Sequence, residues 1–237
     1  MREILQRKLP LLVLSAWCVA MLVARIWYSG GTGNAFLLWN LFLAVVPLAA
    51  AIWFEALDQR AGLRLLKGIA LAVWFAFLPN APYLATDLVH LGPLPPVPPW
   101  FDVALFGSFA ATGVLLGYAA VAGVQSVLTE RFGRLVGSAV AYGSLAMCGV
   151  GIYLGRFLRW NSWDLVTSPY TLANQLAREL THLRLHDATW QVSAVYGVGL
   201  ILGYLTLRSV QPVLKPANPR PTSASSGRQK RYADSAP

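Results

Sequence analysis

Six apolar runs, each long enough to cross hydrocarbon as a helix, constrain this chain more than anything else in it. They lie near residues 9–28, 34–57, 64–85, 101–128, 134–156 and 189–208. A helix rising about 1.5 Å per residue needs roughly 20 apolar residues to span about 30 Å of hydrocarbon. Charge agrees with that length argument: charged residues make up 12% of the 237, against about a quarter in soluble domains. Nine tryptophans suit a protein with two water–lipid interfaces, where amphipathic rings settle. The expected fold is all-α. It is a six-helix transmembrane bundle over residues 1–208, followed by a tail at 209–237.

The distribution of charge orients the bundle. Arg2, Arg7 and Lys8 precede the first run in the manner of a signal peptide. That run is longer than the usual apolar region of about 7–15 residues and no A-x-A-like site follows, so it reads as an uncleaved span. With the N-terminus inside, 14 of the 19 Lys and Arg fall on the cytoplasmic side, while the five on the other side are balanced by five acids. Cytoplasmic retention of basic residues accounts for that asymmetry. The formal +9 is therefore a matter of topology, and no nucleic-acid partner is implied. The expectation is a multi-pass plasma-membrane protein with both termini in the cytoplasm. After Arg208 the sequence becomes PVLKPANPRPTSASSGRQKRYADSAP, too poor in apolar residues to offset the entropy of ordering, hence a disordered basic tail beside membrane lipids. Cys18 and Cys148 fall inside apolar runs and read as small buried hydrophobes.

The third run is unusual. In 75-FAFLPNAPYLATDLVHLGPLPPVPPWFD-102 it meets Pro79-Asn80-Ala81-Pro82 before it has crossed, because Pro79 is reached after only about 18–22 Å of rise. Broken backbone at that depth is tolerable only where protein or water surrounds it. The third helix is expected to be interrupted at Pro79-Asn80, with Asn80 capping a second segment. Asn80, Tyr83, Asp87 and His90 then share one face, and a hydrogen bond between Asp87 and His90 would orient the imidazole for acid–base work.

A second polar block, 151-GIYLGRFLRWNSWDL-165, ends the fifth run. Arg156 and Arg159, flanked by Asn161 and Asp164 and interleaved with aromatics, suit a phosphate or carboxylate. Asp102 and Arg25 fall at similar depth. Structural readings stand beside these: Asp102 as an acid at a helix start, the arginines as cations at a helix end. Beyond this block, Ser168-Pro169 and the leucines 172, 176, 180 and 183 predict a short amphipathic helix on the extracytoplasmic side. His182 and His186 have a metal-compatible spacing, but no H-E-x-x-H pattern accompanies it and no metal is expected. No nucleotide, flavin or haem motif occurs, so no cofactor is expected. Small-xxx-small pairs at Gly113/Gly117, Gly133/Gly137, Gly151/Gly155 and Gly199/Gly203 read as intramolecular packing sites.

At FLPNAPYLATDLVHL and GIYLGRFLRWNSWDL, with WFD between them, the chain resembles a family of prokaryotic polytopic integral membrane proteins of unknown function. The resemblance covers about residues 10–208 and implies that both blocks lie on the extracytoplasmic side. It brings no activity and no catalytic residues. Three functions stay open on the residues alone. One is a pocket in which Asn80, Tyr83, Asp102, Arg156, Arg159, Asn161 and Asp164 hold an anionic lipid head group and Asp87 with His90 perform proton transfer. The others are a non-catalytic scaffold tied together by the same groups, and a transporter built around the broken helix.

Overall fold

A computed structural model describes residues 2–58, 60, 62–92, 97–158, 160, 167, 168, 170, 171, 174, 177, 178 and 187–214, the backbone alone at 2–7, 187–190 and 211–214. The expected amphipathic helix following Ser168-Pro169, with its leucines 172, 176, 180 and 183, lies largely outside the described residues, as does the chain beyond Leu214. The described residues hold helices and no strand: α1 Arg2–Ser29, α2 Phe36–Asp58, α3 Arg64–Phe77, α4 Asn80–Tyr83, a 3₁₀ helix Leu84–His90, α5 Pro99–Phe132, α6 Arg134–Arg156 and α7 Asp187–Leu214. Six stretches are long and apolar enough to cross a membrane, and α3, α4 and the 3₁₀ helix together make one of them, Arg64–His90. The chain divides into two compact units, Met1–Leu202 and Gly203–Pro237.

In the first unit α5 is the central post. Its buried residues run from Asp102 to Leu128, as expected for a helix that is apolar nearly all round. Helix α1 lies antiparallel against it. Lys8 Nζ donates to Ala119 O at 3.3 Å, Trp17 Nε1 to Ser108 Oγ at 3.3 Å, Cys18 Sγ meets Thr112 Oγ1 at 3.2 Å, and Arg25 pairs with Asp102. At the opposite end, Asp58 of α2 forms ion pairs with Arg131 of α5 and Lys67 of α3. One residue, Gly133, joins α5 to α6 with φ of +88°, a conformation that a Cβ disfavours. Helix α7 packs against α6 through glycines: a Cβ on Gly197 would lie 3.1 Å from the Ala146 carbonyl oxygen, and one on Gly149 would strike that of Ser193.

The third span breaks where the prolines demand it. Neither Pro79 nor Pro82 has an N–H for the helical ladder. Leu78 and Pro79 separate α3 from α4, yet both keep right-handed dihedrals, so the chain continues along its axis and tightens into the 3₁₀ helix. Asn80 is not the expected cap of the second segment: Pro79 occupies that position and no side chain caps it. The Ala81 amide turns to Leu78 O, leaving Phe77 O without its usual donor, and Asn80 Nδ2 reaches back to supply one at 3.0 Å.

Room for this segment comes from four glycines. A Cβ on Gly113 would run into the Ala81 carbonyl oxygen and lie 2.9 Å from Leu84 Cβ, and one on Gly117 would lie 3.2 Å from Ala81 Cβ. From the α6 side, a Cβ on Gly151 would lie 2.6 Å from the Pro79 ring, and one on Gly155 3.2 Å from the Tyr83 ring. Two of the small-xxx-small pairs thus pack within the chain, with the broken span gripped between them.

In the second unit, α7 continues to Leu214, with the Arg208 guanidinium 5.6 Å from the Tyr204 ring centroid and Ser209 Oγ donating to Thr206 O.

Candidate functional site

Antiparallel packing gathers the ends of α1, the 3₁₀ helix and α6, with the starts of α2 and α5, at one end of the bundle. Two arginine–aspartate pairs form there, and they differ in kind. Arg25 meets Asp102 through two hydrogen bonds, Nε to Oδ1 at 2.7 Å and Nη2 to Oδ2 at 3.1 Å, with both side chains buried. This is a bidentate fork closed off from solvent.

The second pair is loose. Arg156 Nη1 lies 3.4 Å from Asp87 Oδ1, and its side chain keeps 21% of its surface exposed while that of Asp87 keeps 2%. Asp87 Oδ2 is held from the other side by Asn40 Nδ2 at 2.8 Å. Arg156 Nη2 lies 3.1 Å from His90 Nε2. A guanidinium can only donate, so Nε2 accepts and the ring proton belongs on Nδ1. The guanidinium carbon also stands 5.9 Å from the Tyr83 ring centroid, within cation–π range. His90 is exposed and meets Phe36 edge to face at 5.3 Å between centroids.

The structure therefore brings Tyr83 of α4, Asp87 and His90 of the 3₁₀ helix and Arg156 of α6 together. The expected Asp87–His90 hydrogen bond is replaced by a bridge through Arg156. Asp102 joins Arg25, and Asn80 serves the Phe77 carbonyl while lining an adjacent cleft. Arg159, Asn161 and Asp164 lie outside the described residues, as do His182 and His186. Among the described residues no group of three or more His, Cys, Asp or Glu could hold a metal ion.

Asn40 escaped the sequence reading. It is one amide in the apolar stretch FLLWNLFLAVV, and its placement one turn inside the membrane end of α2 was the available signal.

Beside the cluster runs a cleft of about 330 Å³ between α2, the broken span and α6. Asn40, Asn80 and Tyr83 line it toward the cluster. Its remaining lining is largely apolar, with Leu43, Phe75, Leu78, Met147 and Leu154 among it. Tyr83 and Asn40 thus belong to both features.

A family model described as "Protein of unknown function (DUF1361)" matches residues 39–202. The chain belongs to this family. No curated protein and no solved structure matches it. The DUF1361 region contains Asn40, Tyr83, Asp87, His90 and Arg156 and every residue lining the cleft. Arg25, the partner of Asp102, precedes it.

Proposed function

We propose that this membrane protein binds an anionic lipid head group through Arg156 and His90, on the extracytoplasmic side of a plasma membrane. The observation that carries the proposal is the contrast between the two arginines. Arg25 is enclosed by its fork, whereas Arg156 is steadied by Asp87 and Tyr83 but remains partly exposed. Among the described residues, two of the five N–H donors of Arg156 are engaged, one on Asp87 and one on His90, which leaves donors for a ligand oxygen. Burial of Asp87 behind these contacts suits positioning of the guanidinium better than proton exchange with a substrate. His90 is the exposed group at the mouth, and any acid–base chemistry falls to it.

A scaffold reading has its own support, since Asn40, Asp87 and Arg156 also tie α2, the 3₁₀ helix and α6 together. Substituting Arg156→Gln separates the two. Charge-assisted hydrogen bonds contribute about 1.5–3 kcal/mol, so retention of an anionic lipid over a zwitterionic one of the same chain number, followed by native mass spectrometry, is expected to fall roughly ten- to hundredfold with the bundle intact. Unchanged retention would overturn the head-group reading, and loss of the folded protein would favour the scaffold.

The sidedness rests on the basic residues clustered at the other end of the spans. Val89 is 69% exposed beside His90, while Cys18 and Cys148 are buried. A Val89→Cys variant should therefore react with a membrane-impermeant maleimide from outside intact cells. Reaction only after permeabilisation would reverse the orientation.

A further inference from the structure

We infer that the cleft beside Arg156 accommodates one hydrocarbon chain entering sideways from the bilayer, so that the ligand is a single-chain lipid phosphate; this rests on the head-group reading and specifies its substrate class. Three observations carry it. The cleft follows α6 from Ser144 to Gly155, about 16 Å of helix rise. Over that length, 330 Å³ corresponds to a mean cross-section on the order of 20 Å², by the same helix rise, which matches that of one extended hydrocarbon chain.

The side wall is open where lipid would be. Trp39, Phe75 and Met147 line the cleft and are 53%, 50% and 46% exposed. Phe75 and Met147 lie well within membrane-spanning stretches, so their exposed faces look into acyl chains rather than water.

Polarity is graded along the cleft. Toward the cluster stand Asn40, Asn80 and Tyr83, with the Arg156 guanidinium over the Tyr83 ring. At the deep end the lining polar groups make few demands. Ser144 Oγ is satisfied by Ala141 O of its own helix at 2.9 Å, and Cys148 is buried. A polar ligand would lose its hydration there without compensation, whereas a hydrocarbon tail loses nothing on leaving lipid. A guanidinium just beyond one end, across Tyr83, and an apolar slot at the other suit an anion with one tail.

The test uses the full chain in nanodiscs of zwitterionic lipid and a monoalkyl phosphate whose chain matches the cleft and carries a terminal diazirine. Photolabel is expected to concentrate near Ser144, Met147 and Cys148. Filling the slot by Ala76→Leu, or independently by Val150→Phe, should reduce that label at least tenfold while Arg156-dependent head-group binding persists. A dialkyl phosphate should fail to compete. Label spread over all the outer helix faces, or unchanged by both filling variants, or displaced by the dialkyl competitor, would overturn the single-chain inference without touching the head-group reading. Label at the deep end that survives Arg156→Gln at full strength would instead overturn the head-group reading, and with it the assignment of a phosphate.

Discussion

Replacing Asp102 with alanine is expected to cost about 3–5 kcal/mol of stability, because it leaves the Arg25 guanidinium buried without its counter-charge. The pair is 2.7 Å apart and both side chains are almost wholly enclosed, so water cannot take the lost partner's place. Arg25→Ala should behave alike. The cost reflects stranding, not the net worth of the pair, so the double variant Arg25→Met, Asp102→Leu should recover most of it. The pairing of Asp58 with Arg131, whose side chain is 44% exposed, provides the contrast: at such exposure an ion pair contributes only about 0–1 kcal/mol. Unfolding of the detergent-solubilised protein by SDS titration measures all three variants. Single variants at Arg25 and Asp102 within about 1 kcal/mol of the wild type, the range of an exposed pair, would contradict the argument.

The second large effect is expected at Gly113, and a glycine six residues earlier on the same helix calibrates it. At Gly107 an added Cβ meets nothing within 4 Å, so Gly107→Ala should stabilise by up to about 1 kcal/mol through helix propensity. At Gly113 the same Cβ would run into the Ala81 carbonyl oxygen. Ala81 and Leu84 are wholly buried, and the prolines at 79 and 82 fix the backbone that would have to yield. Overpacking of this kind costs about 1–3 kcal/mol and occasionally more, which outweighs the propensity gain and reverses the sign. The same unfolding assay reads both variants. Equal effects at 107 and 113 would mean that the broken span does not press on α5.

Much of this architecture was legible beforehand because hydrocarbon thickness translates directly into run length. The described spans start and end close to the apolar runs, and the third is interrupted at its first proline. What periodicity cannot reveal is azimuth. The sequence places Arg25 and Asp102 at similar depth, but only folding shows that they face each other while Arg156 faces Asp87. Asn40 was invisible for the same reason: a lone amide in an apolar run has no meaning until its neighbour is known. Two of the four glycine pairs, Gly113/Gly117 and Gly151/Gly155, are packing sites as expected, with the proline-broken segment rather than a regular helix as partner, whereas a Cβ on Gly133 or Gly199 would meet nothing within 4 Å. Asn80 was misread because local rules favour an amide that caps forward, whereas the prolines had left an acceptor behind it.

Gly133 has a mechanical consequence. With one residue between them, α5 and α6 cannot slide past each other, and the cleft therefore has a fixed jaw. The segment Pro79–Leu84 is wedged against that jaw by glycines on both helices, so it too is immobilised. The stretch before Leu78, which carries Phe75 and Ala76 on the cleft wall, is anchored in turn: Ala70 and Trp74 are buried and Lys67 pairs with Asp58 of α2. The proline break is thus backed by packed helix, and Tyr83 is held in register beneath the Arg156 guanidinium.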